Sequence, residues 1–153
     1  MQIHDLTRQA SIDLLTRMRL GRLACAHDGQ PYITPINCAY DHNYLYCFSA
    51  LGQKIIWMRA NPLVCVEADE LVSQQDWATV IVLGKYEELP DMPEYEAHRK
   101  CAWSLLQRWP EWWAPGYVKT VVNEKTRPIE PVYFRIHINQ ISGHRGIPDT
   151  ASS

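Results

Sequence analysis

The sequence lacks the long apolar stretches, the excess of one charge and the paired cysteines that mark several classes of protein. Its longest unbroken apolar run is Tyr44–Phe48, whereas a membrane-spanning helix needs about 20 apolar residues. Fifteen Lys and Arg against seventeen Asp and Glu give a net charge of −2, which offers no electrostatic attraction to nucleic acid or anionic lipid. The cysteines form no CxxC pair, and the N-terminal residues form no secretory signal. We therefore expect a cytoplasmic protein that binds neither nucleic acid nor membranes.

Catalytic and metal-binding patterns are equally scarce. The six histidines show no HxxxH spacing, so the sequence indicates no metal site. A Ser-His-Asp order and a GxGxxG segment are both absent, which leaves hydrolase and Rossmann-type functions without support. With 46% hydrophobic and 21% charged residues, the composition is that of an ordinary globular domain. We expect residues 1–147 to form one domain and residues 148–153 a flexible tail.

The spacing of apolar residues predicts a mainly β protein with three helices. The helices are expected after Thr7, around Leu51–Met58 and around Tyr95–Trp109, and the proline-rich segment 110–130 is expected to be irregular. Six strands follow from segments rich in β-branched and aromatic residues: Arg22–His27, Tyr32–Asp41, Tyr44–Ser49, Leu63–Glu67, Trp77–Tyr86 and Val132–Ile138. Six strands with few helices favour a small antiparallel barrel. Several strands are apolar on both faces, so the outer face needs a helix, a flat ligand or a partner subunit, and a homodimer is the simplest solution.

The segment Ser49–Lys54 is the most informative part of the sequence for function. A predicted strand ends at Ser49, the chain turns at Gly52, and a helix begins with Lys54 in its first turn. Unpaired backbone N–H groups and the positive end of the helix dipole make such a place suitable for an anion. Ser49 would then donate to a phosphate and Lys54 would supply a positive charge. The alternative interpretation is an ordinary helix capped by Ser49, with Lys54 in solvent.

A series of short motifs, taken in order, is similar to the pyridoxamine 5′-phosphate oxidase-like split-barrel flavoproteins, and within them to the branch of the nitroimidazole-resistance proteins. The similarity covers about residues 5–89 and 131–146. The motifs that carry it are Gly21–Ala26, Asp28–Tyr32, Pro35–Ile36, Tyr44–Tyr46, Gly52–Ile55, Asn61–Cys65, Trp77–Gly84 and Phe134–Ile136.

This resemblance implies a split barrel that forms a homodimer and binds FMN at the subunit interface, with another flavin, a deazaflavin or heme as alternative cofactors. By position, Thr34, Pro35 and Ile36 would present backbone groups to the flavin ring. Ser49 and Lys54 would hold the phosphate, Gln53 beside them would be a further cofactor-binding residue, and Thr79 would approach the ring. An apolar slot for the ring and a cationic helix start for the phosphate agree with this assignment.

Two positions depart from the family pattern. Gln53 stands where relatives often carry an arginine beside the phosphate lysine, so a bidentate phosphate contact is missing. Phe48 stands where many nitroimidazole-resistance proteins have a histidine. The resulting hypothesis is an FMN-dependent oxidoreductase acting on a small molecule such as a nitroaromatic compound or a quinone, and the alternative is a non-catalytic flavin or heme carrier or sensor. Trp112 and Trp113 are expected either to cap the pocket or to pack within their loop.

Overall fold

A computed structural model describes residues 1–119, 121–126 and 129–149. The helices are α1 (Arg8–Arg17), α2 (Gln53–Ala60) and α3 (Glu96–Leu106), and 3₁₀ turns occur at Pro93–Tyr95 and Ala114–Tyr117. The strands are β1 (Gln2–Asp5), β2 (Leu20–His27), β3 (Gln30–Asp41), β4 (Tyr44–Ala50), β5 (Leu63–Ser73), β6 (Asp76–Glu88), β7 (Val121–Val122), β8 (Lys125–Thr126) and β9 (Pro131–Ile147).

Six antiparallel strands close into a barrel, as the sequence predicts. The strand order is β9-β4-β3-β2-β5-β6, and β6 pairs again with β9 to complete the circle. Every predicted strand is present, although most are longer than expected, and β9 continues for nine residues beyond Ile138. The small strand β1, which the sequence analysis missed, pairs with the last part of β9 at the edge of the sheet.

Two tight hairpins fix the register of the first three barrel strands. Asp28 and Gly29 connect β2 to β3 with φ values of 49° and 78°. His42 and Asn43 connect β3 to β4 with φ values of 44° and 71°. Positive φ at both central residues is the geometry whose twist matches that of the flanking strands. Both turns connect segments that the sequence predicts as strands.

The helices cover different parts of the barrel. The N-cap Thr7 accepts a hydrogen bond from the backbone N–H of Ala10 at 3.1 Å, and α1 buries Leu14 and Leu15 in the barrel core. Helix α2 adds Ile55 and Met58 to the same core. Helix α3 instead packs outside β3 and β4, where it forms a second apolar cluster with residues Ala39, Tyr46, Phe48, Leu89, Ala102, Leu105 and Leu106. None of the helices described is both long and apolar enough to cross a membrane.

The segment expected to be irregular contains short regular elements. Segment 110–130 contains the second 3₁₀ turn and the hairpin of β7 and β8, while Thr120, Arg127 and Pro128 lie outside the described residues. Of the expected tail, Asp149 accepts a hydrogen bond at 2.6 Å from the N-terminal ammonium of Met1. Residues 150–153 lie outside the described part of the chain.

The barrel closes between β6 and β9 at a point where only glycine fits. The register of the two strands shifts between Leu83 and Gly84. A Cβ atom at Gly84 would lie 2.5 Å from the backbone oxygen of His137 and 2.7 Å from a side-chain carbon of Ile136. The close approach of the two backbones at this bulge therefore depends on the absent side chain.

Replacement of Gly84 by alanine is expected to lower the free energy of unfolding by about 1–3 kcal/mol, because the two strands must move apart. The matched control is Lys85→Ala, since Lys85 is the exposed neighbour on the same strand and surface substitutions usually stay within about 0.5 kcal/mol. Urea denaturation followed by circular dichroism measures both. Equal stability of the two variants would contradict the close approach at Gly84.

Candidate functional site

A cleft opens where β3 and β4 separate. The pairing between them is confined to Cys38–Asp41 of β3 and Tyr44–Cys47 of β4. Beyond it, β4 continues towards α2 alongside β9. A cavity of about 240 Å³ lies beside this separation and the start of α2. A shallower cavity of about 390 Å³ adjoins it through Leu20 and Pro35 and reaches the outer face of the barrel. We refer to the two cavities together as the cleft.

Five of the seven predicted site residues line this cleft. Pro35, Ile36, Ser49 and Lys54 lie around the inner cavity, and Thr34 lines the outer one. The remaining lining is mainly apolar: Leu20, Ile33, Cys47, Phe48, Pro115 and Phe134, together with Arg22 and Asn37. The structure thus brings together residues from β3, β4 and α2, as the sequence pattern requires, and their role in binding stays a prediction.

Gln53 and Thr79 do not line the cleft. Gln53 is the exposed first residue of α2, immediately before Lys54. Thr79 lies on β6 and donates a hydrogen bond at 3.3 Å to the carboxylate of Glu67 on β5. Thr79 therefore belongs to the neighbouring sheet surface of the chain and not to the cleft walls.

Lys54 places a positive charge in the wall of the inner cavity. Burial lowers the pKa of its amine, because the surrounding protein removes the ammonium group from water. The thiols of Cys47 and Cys25 lie close enough to interact with this charge. In the described part of the chain, Lys54 forms no ion pair with a carboxylate. A half-buried cation without a counter-ion is a natural partner for an external anion.

The start of α2 adds backbone donors at the same place. The N-cap is Gly52, and no side chain caps the helix. The interpretation of Ser49 as the cap is wrong, because its hydroxyl donates to the carbonyl of Ala50 at 3.1 Å and Ser49 lies three residues before the N-cap. The N–H groups of the first turn are therefore bonded to no capping side chain. The positive end of the helix dipole lies at this turn, which also contains Lys54. This combination is suited to a phosphate.

An aromatic cap, which we define as Trp112–Tyr117, closes one side of the inner cavity. Its anchor is Phe48, whose ring lies 5.2 Å from that of Trp112 and 6.0 Å from that of Tyr117, measured between centroids. Pro115 lines the cavity itself. A Cβ atom at Gly116 would lie 2.0 Å from the Phe48 ring, so this ring packs directly on the backbone of the cap.

The sequence analysis did not identify this role of Phe48. It left open whether Trp112 and Trp113 cap the pocket or pack within their loop. The two tryptophans differ in their packing in the structure. Trp112 is half-buried against Phe48 and Tyr133, whereas Trp113 is exposed. The available signal was a glycine between Pro115 and Tyr117, which indicated close backbone packing without naming the partner.

The outer cavity opens onto an exposed apolar surface. One row of cross-strand neighbours runs over β3, β2, β5 and β6 through Ile33, Ala24, Cys65 and Leu83. The side chains of Ile33 and Leu83 are 64% and 45% exposed, which is unusual for a contiguous apolar surface. We call this surface the outer face.

A charged cluster borders the outer face. Arg22 lies 3.5 Å from a carboxylate oxygen of Glu67 and 3.5 Å from one of Asp69. Desolvation and the neighbouring Asp69 carboxylate raise the pKa of Glu67. The two carboxylates therefore share one guanidinium group beside the outer cavity.

Comparison with known proteins places this geometry in a family. The model of the pyridoxamine 5′-phosphate oxidase family matches residues 7–145. An uncharacterized protein of Rhizobium meliloti (strain 1021) is 40% identical over 143 residues, which cover 94% of this chain and 95% of the relative.

Solved structures extend the similarity to three dimensions. The crystal structure of a FAD-binding protein from Mesorhizobium loti is 43% identical, with a TM-score of 0.78 over 95% of this chain and 99% of that one. A 5-nitroimidazole antibiotic resistance protein from Bacteroides thetaiotaomicron shares the fold at 16% identity, with a TM-score of 0.68 over 94% of this chain and 87% of that one. The family match over almost the whole chain confirms the resemblance found in the sequence: this protein belongs to the pyridoxamine 5′-phosphate oxidase family.

Proposed function

We propose that the protein binds a flavin nucleotide in the cleft and acts as a flavin-dependent oxidoreductase on a small acceptor such as a nitroaromatic compound or a quinone. The observation that carries the proposal is the half-buried ammonium of Lys54, which has no carboxylate partner in the described part of the chain and lies at the uncapped start of α2. This cation lies at one end of an apolar cleft. A flavin nucleotide has the matching shape and charge, because its flat apolar ring is joined to an anionic phosphate.

The residues of the cleft fit the two ends of such a ligand. Lys54, Ser49 and the first N–H groups of α2 would hold the phosphate. Along Thr34–Ile36, strand β3 is paired with β2 but not with β4, so its free edge can offer backbone donors and acceptors to the ring. Phe134 and Pro35 would contribute apolar contact area.

We assign the flavin mononucleotide part of the cofactor to this cleft. This part is the whole of FMN and one half of FAD, which the Mesorhizobium loti relative binds according to its name. No histidine lines the cleft among the described residues, so a heme would find no imidazole ligand there. That absence favours a flavin over heme as the cofactor.

A bound flavin would supply the redox chemistry by taking up and passing on an electron pair. The protein would contribute binding, orientation and exclusion of water. Neither a carboxylate nor an imidazole is among the described residues lining the cleft, so a proton transfer there would use the solvent, the Lys54 ammonium or the Ser49 hydroxyl. The aromatic cap, packed on Phe48, would keep water from one side of the ring.

The proposal includes a homodimer formed through the outer face. The outer cavity has walls on one side only, and it opens onto the exposed row of Ile33 and Leu83. A second copy of the chain on this face would bury the apolar row and supply the missing wall. Thr79 lies on the same sheet region, so the partner's copy of this residue is the one that would approach the ring.

The direct test is the cofactor of the purified protein. We expect the absorbance spectrum of an oxidised flavin, and release of a flavin nucleotide on denaturation, identified by mass spectrometry. A protein that binds neither FMN nor FAD in titration contradicts the proposal, and a Soret band assigns it to a heme carrier or sensor. Stopped-flow reoxidation of the reduced protein by quinones or nitroaromatic compounds then separates an oxidoreductase from a flavin carrier.

Lys54→Met is expected to weaken FMN binding by about 1.5–3 kcal/mol, the value of a hydrogen bond to a charged group. Quenching of flavin fluorescence measures the dissociation constant. Riboflavin, which lacks the phosphate, should bind the variant and the native protein equally, and Lys100→Met on the exposed side of α3 should change neither affinity. A parallel loss of riboflavin and FMN affinity would place the phosphate elsewhere.

The same Lys54→Met variant is expected to stabilise the cofactor-free protein at neutral pH by ~0.5–1 kcal/mol, because burial disfavours the ammonium form. Since the folded-state pKa of Lys54 is lowered, the unfolded chain binds more protons between that lowered pKa and the ordinary lysine pKa of 10.5. The native protein therefore gains stability as pH rises through this range. Urea denaturation should show the difference between the two proteins shrinking with rising pH, and a constant difference would refute this electrostatic explanation.

A charge on the outer face should separate the dimer. Leu83→Asp and Ile33→Asp are each expected to give a monomer with weakened flavin affinity, because an aspartate cannot be buried there unpaired. Size-exclusion chromatography with light scattering measures the mass. The control is Met92→Asp, which changes an exposed apolar residue near α3. A native protein that binds flavin as a monomer would contradict the interface.

A further inference from the structure

A cavity of about 450 Å³ lies beside α3, away from the cleft. It is lined by the turn 91–93, by one side of α3 and by Tyr133 of β9. Among the described residues, it shares no lining residue with the cleft. We call this cavity the α3 groove. Its volume lies in the range of sites for small molecules, and the proposed binding of a flavin in the cleft gives it no role.

The walls of the α3 groove are largely aromatic and apolar. Trp103 on α3 and Met92 in the turn before it are 51% and 47% exposed, and both line the groove. Tyr133 is half-buried, and its ring centroid lies 4.6 Å from that of Phe48. Large apolar side chains that are exposed together on one concave surface are typical of a binding site, whereas singly scattered ones are not.

Arg99 supplies a fixed positive charge in the α3 groove. Its guanidinium group lies over the ring of Tyr133, 4.7 Å from the centroid, and its Nη1 donates to the carbonyl of Leu89 at 2.7 Å. Among the described residues, its Nε and Nη2 groups form no hydrogen bond, and no carboxylate forms an ion pair with it. The edge formed by Nε and Nη2 is suited to bind a carboxylate through two parallel hydrogen bonds.

The other charged residues of the α3 groove leave the charge of Arg99 available. Lys100 and Glu96 pair with each other at 3.1 Å, one turn apart on α3. Asp91 also lines the groove, but in the described part of the chain it forms no ion pair with Arg99. An anion bound at Arg99 would therefore be repelled by Asp91 only from beyond ion-pair distance.

We propose that the α3 groove is a second ligand site, separate from the flavin cleft, and that it binds a small aromatic carboxylate. The carboxylate would accept hydrogen bonds from Nε and Nη2 of Arg99, and the ring would lie against Trp103 and Met92. A second copy of the chain is a poorer occupant, because an apolar surface placed there would bury the Arg99 charge without a partner. This inference does not depend on the proposed flavin function.

Isothermal calorimetry of the purified protein with 3-phenylpropionate tests the site. We expect saturable binding of one molecule per chain. Two analogues should bind about tenfold or more weakly: 3-phenylpropanamide, which keeps the ring but lacks the charge, and propionate, which keeps the charge but lacks the ring. Absence of saturable binding up to about 10 mM, or equal affinity for the three compounds, overturns the proposal.

Substitutions in the groove assign the two ends of the ligand. Arg99→Gln and Trp103→Ala should each weaken 3-phenylpropionate binding by about tenfold, while Trp103→Phe should retain most of the affinity. Because Trp103 is exposed, its replacement leaves the fold intact. Asp91→Asn should strengthen binding, since it removes a carboxylate that repels the ligand. Weaker binding by Asp91→Asn, or unchanged binding by Trp103→Ala, contradicts the assignment.

Two controls separate the α3 groove from other places on the protein. Arg108→Gln removes an exposed arginine just after α3 and should leave the affinity unchanged. Saturation with FMN should not displace 3-phenylpropionate, because the two ligands would occupy different cavities. Displacement by FMN would place the carboxylate at Lys54 in the cleft and overturn the second site. A lower mass of Trp103→Ala in light scattering would assign the groove to a contact between subunits, which also overturns it.

The outcomes are distinct from those of the flavin experiments. A protein that binds 3-phenylpropionate through Arg99 but binds no flavin keeps the α3 site and loses the proposed function. A protein that binds a flavin but none of the three compounds keeps the proposed function and loses the α3 site.

Discussion

The half-buried ammonium of Lys54, placed beside two thiols and away from any carboxylate in the described part of the chain, is the constraint around which the site is organised. Burial without a counter-ion costs stability, and a core designed for stability alone would place an apolar side chain there. The arrangement becomes favourable when an anion occupies the end of the cleft. The separation of β3 from β4 beyond Cys38 and Cys47 provides the room for that anion and for a flat group beside it.

The strands of the barrel are apolar on both faces. One face fills the interior of the barrel, and the other face must be covered by a helix, a ligand or another chain. Helix α3 and the aromatic cap cover β3 and β4, through Phe48 and Tyr46. Among the residues that the structure describes, none covers the outer face on β2, β5 and β6 in this way. The fold therefore leaves one exposed apolar surface, which the proposed dimer would bury, and one open cleft, which the proposed ligand would fill, and the two adjoin at Pro35 and Ile33.

Much of the fold follows from local signals, and the remainder depends on distant pairings. Asp28–Gly29 determines a hairpin by itself, and the strand, glycine turn and lysine of Ser49–Lys54 locate the anion site. Strand β1 was missed because its residues are all exposed and pair with the far end of β9. Ser49 could be either a phosphate ligand or a helix cap in the sequence, because spacing does not show the direction of its hydroxyl, which donates to the carbonyl of Ala50 in the structure. Phe48 anchors a loop that lies more than 60 residues later in the sequence. A local sequence pattern cannot predict such a distant contact.

The most direct measurement of the central claim is a crystal structure of the protein with its flavin bound. We expect the phosphate within hydrogen-bonding distance of the Lys54 amine and the Ser49 hydroxyl, with the ring against the free edge of β3 at Thr34–Ile36. A flavin phosphate bound away from the start of α2, or a cleft filled by side chains in the holo protein, would contradict it.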